Sequence, residues 1–133
     1  MECASLQADA LTLSAYAGGR INFTLSAGPE FGYKTYFLCA SASGTSPGIT
    51  LPNGAVLPLN RDMVFNYIQN NISDPMFEDF MGALDMDGQA TASLDSMGSL
   101  PPILPPGTII NFAYTTMFPF DFQSNTVAVE IVP

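Results

Sequence analysis

The sequence is 133 residues long, enough for one sizeable hydrophobic core but not for two. It is 47% hydrophobic and only 11% charged, well below the roughly 25% charged residues of an ordinary soluble domain. Twelve acidic residues oppose Arg20, Lys34 and Arg61 for a formal charge of −9, so no basic patch can be assembled and nucleic acid is excluded as a partner.

In chain order, Leu6, Ala8 and Ala10 alternate with polar neighbours, and Leu11, Leu13 and Ala15 alternate in the opposite phase. The slip over residues 9–11 predicts a bulge or a strand that changes sheets. Gly18-Gly19 predicts a turn, after which Ile21, Phe23 and Leu25 alternate again, as in a hairpin or a sheet-switching pair. In "YKTYFLCAS", Tyr33, Thr35, Phe37 and Cys39 share one face, and Lys34, Tyr36, Leu38 and Ala40 the other. Both faces are largely apolar, which predicts a central strand. "ITLPNGAVLPL" predicts a short hairpin about Asn53-Gly54, kept to an edge by Pro52 and Pro58.

The period then changes. Asn60 is a candidate cap, and Val64, Tyr67, Ile68 and Asn71 fall at helical spacing. "SDPMFEDFMG" predicts a second helix, with Ser73 or Asp74 as cap, Pro75 in the first turn and Gly82 as the stop. "ALDMDGQATASLD" predicts two strands about Asp87-Gly88, and "SLPPILPPG" a rigid connection without sheet donors. "TIINFAYTTM" is a strong strand, "FPFDFQSN" turns the chain, and "TVAVEIV" closes it. The expected fold is all-β: about eight strands in a two-sheet sandwich of Ig-like or jelly-roll type, with one or two short helices inserted at about 61–81. Ile21, Phe23, Leu25, Phe37, Ile110, Phe112 and Val129 form the expected core.

Chemistry is sparse. The sequence has no histidine, which removes Ser-His-Asp and Cys-His catalysis and nearly all zinc, copper and haem ligation. Asp85 and Asp87 in "LDMDG" have the spacing that opens a calcium loop, but the downstream acids of such a loop are missing. A β-turn led by Asp and completed by Gly is the simpler reading. Glu78 and Asp79, neighbours on the second predicted helix, diverge by about 100° instead of converging across a cleft. Asp121, among aromatics, is expected to cap a turn. No enzyme activity, cofactor or metal is expected. The sequons at Asn22 ("NFT") and Asn71 ("NIS") are candidate sites for covalent glycan on an exported chain. No basic n-region with a continuous apolar stretch opens the sequence, and no run approaches a membrane span, so a mature or trimmed chain is expected.

Cys3 and Cys39 are the two cysteines. In an oxidising compartment they read as a disulfide. Within one chain it would staple the N-terminus to the sheet and stabilise the fold by roughly 3–4 kcal/mol. Between chains it would lock a joint; with neither, Cys39 is a small buried hydrophobe. Residues 1–16 read as an N-terminal arm and 17–133 as one sandwich domain. Half of such an arm can lie along a neighbour's open edge, with Leu6, Ala8, Ala10, Leu11 and Leu13 as donor-strand contacts. Repeated head to tail, that contact does not close and builds a filament.

The segments "SGTSPGITLPNGAVLPLN", "LDMDGQATASL" and "NFAYTTMFPFDFQSNTVAVEIVP" resemble a family of uncharacterised secreted bacterial β-sandwich modules, whose pattern closes on PFDFxSNxVxVxIVP. The likeness covers the chain from Gly18-Gly19 onward and implies an extracellular module without an assigned activity. The chain departs from that pattern at Cys39, where the resemblance leads one to expect a small residue such as Gly, and at Cys3; together the departures favour a pair made for each other. More loosely, and by architecture alone, the chain is similar to protomers of extracellular filaments assembled by N-terminal donor-strand exchange. The expected function is therefore that of an extracellular or cell-surface structural protein, a filament protomer whose partners are copies of itself. The alternative is a monomeric secreted accessory module with weak glycan or calcium binding through "SASGTSPG" and "LDMDG".

Overall fold

The structure, a computed structural model, describes residues 5–42, 48–50, 56–57, 59–60, 62–72, 74, 76–95, 106–117 and 124–133. In chain order its strands are β1 (Leu6–Ala8), β2 (Thr12–Ser14), β3 (Arg20–Ser26), β4 (Thr35–Ser41), β5 (Ile49–Thr50) and β6 (Val56–Leu57). After helix α1 (Met63–Asn70) come β7 (Phe77–Glu78), β8 (Met81–Ala83), β9 (Gln89–Asp95), β10 (Ile109–Met117) and β11 (Val127–Val132). Two sheets carry the architecture, in the orders β1-β3-β9-β7 and β2-β11-β10-β4-β8, and β5 and β6 form a separate pair.

Strict alternation makes β3 a half-buried strand. Ile21, Phe23 and Leu25 are fully buried, while Arg20, Asn22 and Thr24 face out. Opposite them, Phe112 of β10 meets Phe23 with ring centroids 4.8 Å apart, and Phe80 closes the cluster at 6.1 Å from Phe23 and 6.4 Å from Phe112. Each such pair adds about 0.5–1.5 kcal/mol beyond the area it buries. All seven expected core residues are buried.

The two-sided apolar pattern of β4 has a physical cause. Tyr36, Leu38 and Ala40 lie opposite Thr116, Tyr114 and Phe112 and share their side of the sheet. Phe37 and Cys39 face the other way and are covered by α1, whose Phe65 ring stands edge-on to Phe37 at 6.3 Å. Val64, Tyr67 and Ile68 of the same helix line a small apolar cavity with Phe77, Leu94 and Ile110, and the Tyr67 ring stands edge-on to Phe77 at 6.0 Å. The cap of α1 is Asp62, not the expected Asn60: its Oδ1 accepts from the Phe65 N–H at 3.0 Å and its Oδ2 from the Ala42 N–H at 2.8 Å. Asn60 instead accepts from the Gly48 N–H at 3.1 Å.

The second predicted helix does not form. Its segment becomes β7, paired with β9 at Leu94, and β8, paired with β4 at residues 35–37. Asp79 between them adopts φ 58°, a conformation Asp tolerates. Phe77 and Phe80 recur at a spacing that suits a helix, yet both reach the core from the segment that crosses between sheets, Phe77 in β7 and Phe80 in the bend before β8. The expected cap Ser73 and the first-turn Pro75 lie outside the described residues. The two strands about Asp87-Gly88 likewise part company, β8 to one sheet and β9 to the other.

β5 and β6 pair antiparallel as expected, and their Asn53-Gly54 turn, with Pro52 and Pro58, lies outside the described residues. So do Cys3, Asp121 and most of the Pro-rich connection. Among the described residues no helix is long and apolar enough to cross a membrane.

Candidate functional site: the seat of the N-terminal arm

The phase slip at residues 9–11 is a strand changing sheets. β1 is the edge strand of the four-stranded sheet, antiparallel to β3, and β2 is the edge strand of the five-stranded sheet, parallel to β11. One arm therefore supplies the outermost strand of both layers on the same flank.

On the first layer, Leu6 lies opposite Leu25 and is 1% exposed. The Ser5 carbonyl accepts from the Ser26 N–H at 2.8 Å, and the Asp9 N–H donates to the Asn22 carbonyl at 3.1 Å. Odd-numbered residues thus turn their backbone toward β3, and Leu6 turns its own N–H and C=O outward. Asn125 meets them there. Its Oδ1 accepts from the Leu6 N–H at 2.9 Å, and its Nδ2 donates to the Leu6 carbonyl at 3.1 Å. The same Oδ1 accepts from the Ser5 hydroxyl at 3.0 Å, and the Asn125 N–H donates back to Ser5 Oγ at 3.3 Å. From inside, the Tyr114 hydroxyl donates to the Ser5 carbonyl at 2.9 Å, and burial pushes that phenol well above its ordinary pKa, so it stays a donor.

Asn125 is held in place by its neighbour. The Ser124 hydroxyl accepts from the Tyr114 N–H at 2.9 Å and donates to the Asn125 carbonyl at 2.8 Å, while the Ser124 N–H donates to the Tyr114 carbonyl at 3.0 Å. The "SN" of the closing motif therefore sits against the middle of β10 and presents its amide to the arm. In the sequence that pair is legible only as the end of the chain-turning segment "FPFDFQSN" and as part of a resemblance, without its contact to the arm. An Asn ending a chain reversal beside a strand was the available signal.

At the corner between layers, Asp9 holds Asn22 by both carboxylate oxygens, Oδ1 to its N–H at 2.9 Å and Oδ2 to its Nδ2 at 2.8 Å. These bonds, the backbone N–H foremost, keep the Asp9 carboxyl below its usual pKa. On the second layer, Leu13 pairs with Ile131 and both are buried. The arm leaves through the turn at residues 14–18, where Gly18 adopts φ 74° and donates to the Ser14 carbonyl at 3.0 Å.

Of the expected donor-strand contacts, Leu6 and Leu13 enter the core and Ala8 and Ala10 pack half-buried against it. Leu11 does not: it is 59% exposed, and only its carbonyl is used, accepting from the Glu130 N–H at 2.9 Å. Cys39 is fully buried, with Sγ 3.7 Å from the Phe65 carbonyl. Asn22 Nδ2, the atom a glycan would take, is bonded to Asp9, and Asn71 Nδ2 donates to the Tyr67 carbonyl at 2.8 Å at the end of α1. Asp85 Oδ1 accepts from the N–H groups of Asp87 and Gln89, both at 2.9 Å, the geometry of an Asp-led turn. The Asp87 side chain is exposed.

No protein-family model matches the chain, and no curated protein matches it.

Proposed function

We propose that this chain is an extracellular structural protein, the protomer of a filament assembled head to tail by donation of its N-terminal strands. The observation that carries the reading is the seat itself. Residues 5–14 pack on the rest of the fold as two edge strands held by the side-chain contacts of Asn125, Tyr114 and Asn22, bury Leu6 and Leu13 in a core built by other elements, and are joined to it through one turn. Every contact of the arm is made with residues that each copy of the chain also has. Passing the arm to a neighbour therefore keeps all of them, at the cost of opening the turn and of ordering two molecules. Transfer in one direction leaves each protomer with a seat to fill and an arm to give, and so propagates. The low charge and the likeness to secreted modules support an extracellular or cell-surface setting, in which Asn22 and Asn71 are the candidate glycan sites.

A second reading has its own support: in the single chain the arm lies in its own sheets, as in a monomeric secreted accessory module. Electrophoresis of native material, unboiled and boiled, with and without reductant, beside a negative-stain image, separates the two. A heat-labile ladder indifferent to reductant is the expected result. A ladder that collapses on reduction would place Cys3–Cys39 bridges between chains. A single monomer band in every lane with no filaments on the grid overturns the reading.

A further inference from the structure

We infer that the seat is a receptor for an extended Ser-Leu dipeptide, and that Asn125 is the residue that selects the arm of a second copy in this register. The inference rests on the strand-donation reading. Its ground is that every polar group of Ser5-Leu6 named below has a dedicated partner. The Ser5 hydroxyl is read by Asn125 through both Oδ1 and the backbone N–H, and the Ser5 carbonyl by Tyr114 and Ser26. The Leu6 N–H and C=O are read by the one Asn125 carboxamide, and its side chain fills a closed site opposite Leu25.

Main-chain pairing alone does not fix register, because a slip by two residues keeps the same face inward. Here a two-residue slip brings Gln7-Ala8 or Cys3-Ala4 to the seat. Neither offers a hydroxyl at the first position, and either leaves the leucine site mostly empty. Thr12-Leu13 is the other hydroxyl-leucine pair in the arm, and it is already paired with β11. The carboxamide is also the required chemistry. An aspartate at 125 would accept from Leu6 but have nothing to donate to its carbonyl. Asn125 lies at the surface of the sandwich, within reach of an incoming strand.

The test is amide hydrogen exchange on the full-length chain and on N125A, N125D and S5A variants, with native electrophoresis run in parallel. In N125A, exchange at the Leu6 and Ser26 amides should rise by about tenfold or more, as expected for losing two or three hydrogen bonds, with the β3–β9 ladder unchanged. N125D should fall between native and N125A, and S5A should reproduce part of the loss. If N125A unfolds outright, S5A, altered only on the arm, carries the test. Unchanged protection at Leu6 and Ser26 in the folded variants overturns the receptor, whatever the ladder shows. Lost protection in a chain that never polymerises leaves the contact standing within one chain and overturns both the second-copy half and the strand-donation reading.

Discussion

Gly88 fixes the turn that sends the chain from one sheet to the other. It adopts φ 75°, and a Cβ there would overlap the carbonyl of Gly28. G88A should therefore lower stability by roughly 1–3 kcal/mol in urea unfolding, whereas G107A, equally left-handed but with open space around its Cβ, should cost less. Tyr36, together with the more strongly raised Tyr114, sets the alkaline limit. Its hydroxyl donates to the Asp79 carbonyl at 2.6 Å, and burial, then the nearby Asp79 charge, push its pKa up to about 12. A raised folded pKa means the contribution is whole below the unfolded value near 10 and is lost as pH rises through 12. Stability should hold to about pH 10 and fall between 10 and 12, and Y36F should flatten that decline. Asp9 works in the opposite sense: its lowered pKa makes the corner bond complete above 3.8 and lost as pH falls below it. NMR titration of its carboxyl should show a midpoint under 3.8, with the arm loosening only on the acid side.

At the scale of elements, the arm and the β7–β8 crossover are where local pattern and tertiary burial interact most. The phase slip at residues 9–11 was legible because a strand that changes sheets must also change which residues face inward. The crossover was not. Phe77 and Phe80 repeat at a spacing compatible with a helix, and only the positions of β9 and β4 show that each half has a ladder to join. L6A and L13A should each destabilise by about 2–5 kcal/mol, the usual cost of emptying a closed core site. They should also speed protease cleavage in the 14–18 turn. F80A should cost about 3–5 kcal/mol without that selective loosening, since Phe80 belongs to the body and not to the arm.

For the whole molecule, one flank decides the behaviour. Without the arm, β3 and β11 are open edges beside two leucine-sized holes, and the chain has only one lysine to guard them. A sandwich so built is complete only with the arm in place. What the sequence determined by itself is the all-β class, the inward set of β3 and β10, the two-sided strand β4 and the slip in the arm, because alternation and charge scarcity are local properties. Only the tertiary structure decided that α1 is capped by Asp62, that residues 77–83 divide between two sheets, and that Asn125 grips Ser5 and Leu6 across a separation of 119 to 120 residues. Those depend on which backbone groups are left without a ladder partner once the sheets have packed, and no local pattern carries that information.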